Sequence, residues 1–157
     1  MNPDFAITRL VDPARVDELH HLVTSAFAAL AIDPPSGVLE ESVADFRERL
    51  KSETALVAEA DGALVGSVFC AQKVTSLYIG RLAVRDDFRR RGVASALLEA
   101  AKREARRHAM PKLTLATRIS LTSNIALFRR HGFVVVAEQS HAGYSQPTSY
   151  DMELVLG

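Results

Sequence analysis

Cysteine is almost absent from this chain. Cys70 is the only one, so no internal disulfide and no cysteine-based zinc site can form, which fits a reducing compartment. No apolar run reaches the roughly 18 residues that a membrane-spanning helix needs. Residues 1–10 carry Asp4 and lack the basic start and apolar core of a secretory signal, so a cytoplasmic location is expected. Neither sign of charge is in excess, with 19 Lys and Arg against 19 Asp and Glu. That balance argues against a nucleic-acid coat or a polybasic membrane binder. The basic residues are also not interleaved with the exposed aromatics that single-strand binders use. Internal repeats, low-complexity runs and long linkers are missing. So are the Gly-Lys-Ser/Thr of a Walker loop and the G-x-G-x-x-G dinucleotide fingerprint, which disfavours a nucleotide triphosphatase or a dehydrogenase. None of the histidines has metal-ligand spacing, and no metal is expected.

What is present describes one folded domain over residues 1–157. Apolar residues make up 48% and charged residues 24%, close to the globular average. Ala6 to Val11 reads as a strand, and Asp12-Pro13 as a helix start. Val16, Leu19, Val23, Phe27 and Leu30 recur at helical spacing behind it. Asp33-Pro34-Pro35 breaks the pattern, and Val38 to Leu50 reads as a second, acidic helix. Ala55–Ala60 and Ala63–Cys70 are strand-like runs joined by Asp61-Gly62, a strong hairpin signal. Thr75–Val84 is a further strand. A long helix over Arg91–His108, stopped by Pro111, leads to the strand Lys112–Thr117. Ser123–His131 is a short helix that Gly132 caps in the left-handed conformation, and strands at Val134–Glu138 and Tyr150–Leu156 close the chain. The order β-α-α-β-β-β-α-β-α-β-β predicts a mixed α/β layer fold. Its sheet is mostly antiparallel, with a parallel pair where the long helix crosses over.

The segment Leu82-Ala83-Val84-Arg85-Asp86-Asp87-Phe88-Arg89-Arg90-Arg91-Gly92-Val93-Ala94-Ser95 carries the most chemical information. A strand ends, a charged turn follows, and a helix opens on glycine and small residues. The first N–H groups of a helix lack intrahelical acceptors and sit at the positive end of its dipole, and Gly92 lets a ligand approach them. This is an anion site, best suited to phosphate. Residues 81–107 hold nine basic residues against four acidic, whereas residues 33–61 hold eight acidic against three basic. One region therefore suits a polyanion and the other something cationic; Glu40, Glu41 and Asp45 are candidates to draw in a cationic amine.

Leu82-Ala83-Val84 followed by Arg89-Arg90-Arg91-Gly92-Val93-Ala94 resembles the acyl-CoA motif of the GNAT superfamily of N-acyltransferases, Gln/Arg-x-x-Gly-x-Gly/Ala. Phe128-Arg129-Arg130-His131-Gly132-Phe133 resembles that family's aromatic-x-x-x-Gly-Phe segment. The resemblance implies a central, mostly antiparallel sheet of six or seven strands with one splayed parallel pair, flanked by about four helices. It implies acetyl-CoA as co-substrate, with the backbone of Arg89, Arg90, Arg91, Gly92, Val93 and Ala94 around its pyrophosphate. Leu82, Ala83 and Val84 would pair with the pantetheine arm, an N–H among them would polarise the thioester carbonyl, and Asn124 and Phe128 would contact the cofactor. The implied reaction is direct attack of a primary amine, on a small molecule or a peptide, with no covalent enzyme intermediate.

The sequence departs from the family at three positions that matter. Leu121 stands where many relatives carry an asparagine, and Asn124 lies three residues further on. Phe128 stands where many relatives carry a tyrosine that protonates the leaving thiolate, and Tyr78 stands where some relatives carry a general-base glutamate. Tyr78 and Tyr144 are the candidate catalytic residues, Tyr144 as a stand-in proton donor in the loop that starts at His141. The departures at Phe128 and Tyr78 leave open a catalytically silent acyl-CoA sensor. The C-terminal strands are candidates to pair across a homodimer.

Overall fold

A computed structural model describes residues 4–157. The strands are β1 (Ala6–Arg9), β2 (Thr54–Ala60), β3 (Ala63–Gln72), β4 (Leu77–Val84), β5 (Lys112–Arg118), β6 (Val134–Gln139) and β7 (Ser149–Val155). The helices are α1 (Val16–Ala28), α2 (Val43–Arg49), α3 (Val93–Arg107) and α4 (Thr122–Arg130). The strands form one seven-stranded sheet in the order β1-β2-β3-β4-β5-β7-β6. Every neighbouring pair is antiparallel except β4 and β5. Element order, strand count and the parallel pair all agree with the expectation.

Both faces of the sheet are covered at β2 and β3, which explains why these strands read as nearly continuous apolar runs. Leu56, Val65, Leu77, Ile79, Leu113 and Met152 pack beneath α3 and α4. Val57, Leu64, Phe69 and Ala83 pack beneath α1 and α2, where Phe46 meets Phe69 edge-on at 5.5 Å between ring centres. The Asp61-Gly62 turn holds both residues at positive φ, 50° and 79°, as a tight hairpin of this twist requires.

The expected helix over Val38–Leu50 is two pieces. A 3-10 turn over Gly37–Glu40, capped by Ser36, ends at Glu41, whose backbone is extended. α2 starts afresh from Ser42, whose hydroxyl accepts from the Asp45 amide at 3.1 Å, while the Asp45 carboxylate accepts from the Ser42 amide at 2.8 Å. This reciprocal pair satisfies two orphan donors, and Ser42-x-x-Asp45 is its signature in the sequence. It also commits Asp45 to capping.

Two irregularities in β4 shape the site. Val68 on β3 lies opposite both Arg81 and Leu82, and Arg81 adopts φ 52°. One extra residue reverses the side-chain alternation, so Leu77 and Ile79 face one core while Ala83 faces the other. Further, β4 and β5 pair only at Leu77 with Leu113 and at Tyr78 with Thr114. Beyond Tyr78 the two strands diverge and leave a gap.

Candidate active site

The gap opens into a cleft of about 1660 Å³ that runs from the α1 side, between β4 and β5, to the start of α3. Its α3 end is built from the turn after β4. Arg90 and Gly92 hold left-handed backbone conformations, at φ 64° and 82°. Ala96 donates the first helical bond, to the Gly92 carbonyl at 3.0 Å. Among the described residues, the amides of Arg90, Arg91, Gly92, Val93, Ala94 and Ser95 donate to no protein acceptor. Successive free N–H groups at a helix start form an anion-binding concavity. A Cβ built on Gly92 would meet no atom within 4 Å, so the glycine faces open space. At Gly66 a Cβ would lie 2.6 Å from Val93 Cγ1, so this glycine is what lets α3 begin close against the sheet.

Arg89, Arg90, Gly92, Val93 and Ala94 line the cleft, as do Leu82, Ala83 and Val84. Arg91 does not line it. Its guanidinium lies 4.7 Å from the centre of the Phe88 ring and reaches toward Asp4. Arg85 donates its amide to Val65 at 2.8 Å, and the Arg81 carbonyl accepts from the Ser67 hydroxyl at 3.4 Å. Arg81 and Arg85 thus turn their main chains toward β3, and by alternation Leu82 and Val84 turn theirs to the gap. Asn124 and Phe128 form part of the α4 wall. Phe128 is buried and meets Phe133 edge-on at 6.0 Å.

Ser95 sits on the rim within a relay that sequence reading missed. His131 Nε2 is 3.1 Å from its hydroxyl, and His131 Nδ1 is 3.0 Å from the Glu99 carboxylate. Ser95 and Glu99 stand one helical turn apart on α3, and His131 comes from the end of α4. The i, i+4 spacing is visible in the sequence; the arrival of His131 is not.

Free helix-start amides thus stand beside a diverging strand pair, and comparison with known proteins identifies the family. Residues 16–133 match the family model described as Acetyltransferase (GNAT) family. The chain belongs to the GNAT acetyltransferases.

Solved GNAT-fold structures align along nearly the whole chain. Ard1 from Thermoplasma volcanium is 20% identical, with a TM-score of 0.80 over 98% of both chains. The ribosomal-protein-S18-alanine N-acetyltransferase from Escherichia coli is 19% identical, with a TM-score of 0.78 over 96% of this chain and 93% of that one. A GNAT acetyltransferase from Elizabethkingia anophelis, solved with acetyl-CoA bound, is 18% identical, with a TM-score of 0.74 over 99% and 100%. At these identities the likeness speaks for the fold. No curated protein matches the sequence. Among the described residues, no helix is long and apolar enough to cross a membrane.

The other end of the GNAT cleft is closed by side chains from distant segments. The Glu41 carboxylate accepts from Arg81 at 2.9 and 2.6 Å and from Arg49 at 3.0 Å, and Arg49 also pairs with Glu53 at 2.7 Å. Burial on its own would raise the Glu41 carboxyl, but hydrogen bonds and charge from Arg81 and Arg49 outweigh it and hold the group below the usual carboxylate range. Glu41 is therefore neutralised and Asp45 serves as a cap, so neither is the cation lure expected from the acidic stretch; Glu40 is exposed.

Tyr78 lines the cleft at the last paired position before β4 and β5 part. Burial pushes its phenol above the ordinary value, and Asp151 adds to this against an opposing pull from Arg81. Tyr144 is not part of the cleft wall. Its hydroxyl donates to Asp33 at 2.6 Å, which raises its own pKa and ties the loop after β6 to the loop after α1. Cys70 is buried, and desolvation pushes its thiol up to about 12.

Proposed function

We propose that this protein is an N-acetyltransferase that moves an acetyl group from acetyl-CoA to a primary amine by direct transfer. The observation that carries the reading is the run of uncommitted amides from Arg90 to Ser95 at the end of a diverging strand pair. Those amides, with the exposed side chains of Arg89 and Arg90, would hold the diphosphate. Leu82 and Val84 would add the pantetheine arm to the open edge of β4 as an extra strand. Asn124, whose side chain has no partner among the described residues, and Phe128 would flank that arm. Acetyl-CoA, when bound, supplies an activated acetyl thioester. The gap-facing amide of Leu82 would donate to the carbonyl oxygen, where negative charge develops.

Direct transfer needs an amine that loses a proton and a sulfur that gains one. Tyr78 is the proposed proton donor, because it stands at the gap and a phenol carries its proton at neutral pH. Tyr144, the other candidate, would act through Asp33 by holding the loop over the acceptor end. A buried thiol with a pKa near 12 does not supply a nucleophile, which supports a route without an enzyme-bound acyl group. Phe128 favours a second reading, an acyl-CoA sensor, because it has no proton to give.

Calorimetric titration with CoA and acetyl-CoA, followed by a CoA-release assay against a panel of amines, tests both. Saturable binding with turnover is expected. Tight binding without turnover on any amine would establish the sensor, and no saturable binding would overturn both readings.

A further inference from the structure

The fold half-buries four arginines, Arg15, Arg49, Arg81 and Arg118. Three of them meet carboxylates. Arg15 pairs with Glu18 and Glu59 at 2.9 and 2.8 Å, Arg49 with Glu53 and Glu41 at 2.7 and 3.0 Å, and Arg81 with Glu41 at 2.6 Å. Arg118 has no carboxylate partner among the described residues. Its guanidinium donates to the main-chain carbonyls of Pro34 at 2.6 Å and Pro35 at 3.5 Å. It also lines the cleft at the end of β5, on the same strand face as the exposed Ala116.

Neutral carbonyls orient a guanidinium without cancelling its charge. A cation held in a concave, partly desolvated site without a counter-charge is costly, and the cost is relieved when an anion enters. Among the described residues no carboxylate comes within ion-pair distance of that guanidinium: Asp33, next to Pro34 in the chain, accepts from the Tyr144 hydroxyl at 2.6 Å, and Glu41 is shared between two arginines. A guanidinium has five N–H donors in a rigid fork, so Arg118 keeps donors free, and that fork matches a carboxylate.

We propose that the amine acceptor carries a carboxylate and that Arg118 reads it, which makes the substrate class an amino acid in the broad sense. This rests on the acetyltransferase reading above. Arg118 determines specificity: the two proline carbonyls set its plane, and the acceptor's carboxylate completes its charge. The acidic stretch at residues 33–61 suits something cationic, but Glu41 within it is paired with Arg81 and Arg49, and Asp33 accepts from Tyr144.

The experiment pairs each acid with its own carboxamide. α-Amino acids and a ladder from β-alanine to 6-aminohexanoate are compared with their carboxamides, both for CoA release and for calorimetric binding to the CoA-saturated protein. At least one acid is expected to exceed its carboxamide by about tenfold, through KM in turnover and through Kd in binding. Arg118→Gln is expected to bring that ratio to within about twofold, and Arg118→Lys to leave an intermediate value. Affinity for CoA in both variants reports that the fold is intact. The proposal is overturned if acids and carboxamides bind alike in the wild type, or if the acid's advantage survives in Arg118→Gln. Loss of CoA binding in the wild type would instead overturn the acetyltransferase reading. Acid-selective binding without turnover would support Arg118 and remove the catalytic reading alone.

Discussion

The two ends of the cleft hold charge in opposite ways. At the start of α3 the donors are main-chain amides with no protein acceptor, flanked by exposed arginines, and they come from one continuous stretch of about a dozen residues. At the other end the polar side chains are already engaged: Glu41 with Arg81 and Arg49, Tyr144 with Asp33, and Arg118 with two proline carbonyls. Apart from Arg49, eight residues from Glu41, their partners lie tens of residues away in the chain. A polyanion can be gripped by geometry that a single turn provides, whereas selecting an acceptor takes groups that only the complete fold brings together.

The sharpest way to break this contrast is at the boundary between the two ends. Tyr78→Phe removes the proposed proton donor and leaves the amides alone, so kcat should fall about 100-fold while CoA affinity stays within about twofold. Equal kcat in the variant would remove Tyr78 from the chemistry. At the α3 end, Gly92→Asp puts an L side chain at φ 82° and a carboxylate beside the proposed diphosphate site. The left-handed backbone costs some fold stability, whereas charge repulsion should lower CoA affinity about 50-fold by calorimetry; an unchanged Kd would place the diphosphate elsewhere.

A control comes from the opposite face, where the buried Glu104 accepts from Arg9 at 2.8 and 2.9 Å and lies 3.2 Å from His108. This ion pair resembles those of the acceptor end but ties β1 to α3 far from the cleft. Glu104→Ala should lower stability by about 2 kcal/mol, which is roughly 4–8 °C in Tm for a chain of this size, with CoA affinity kept. Ser95→Ala removes one rim hydroxyl held by His131, and about a fivefold loss in CoA affinity is expected.

The smallest effect is a pH dependence. Because Arg81 and Arg49 hold the Glu41 carboxyl below its unfolded value, its contribution is fully present above the ordinary carboxylate range. That contribution is lost as pH falls through the folded value. Acid unfolding of Glu41→Gln, followed by circular dichroism, should therefore show a shallower loss of stability below about pH 4.5 than the wild type. Identical acid limbs would mean that the network is no more than a surface contact.

The same contrast explains what could be read from the sequence. The hairpin at Asp61-Gly62, the left-handed cap at Gly132 and the helix opening at Gly92 are local signals, and each lies where expected. The bulge in β4 was also written there and went unread. Apolar residues alternate as Leu77 and Ile79, then resume as Leu82 and Val84, one position out of phase. Ser42-x-x-Asp45 likewise announced a helix start inside what looked like a single helix. Other features have no local signature. Nothing in the sequence around Tyr144 shows that Asp33 will take its hydroxyl, and nothing near Arg118 predicts Pro34 and Pro35 as its anchors. These contacts exist because β5 and the loop after β6 converge on the loop after α1, and convergence of that kind belongs to the tertiary structure.

Cys70 has a practical consequence. A thiol sealed inside the sheet and titrating near pH 12 is almost entirely unionised at neutral pH, and it is out of reach of maleimides and iodoacetamides. A cysteine introduced on the rim, such as Ser123→Cys, would then be the sole site of labelling in an otherwise native chain. A fluorophore placed there could report ligand entry in real time, with no need to engineer the natural thiol away.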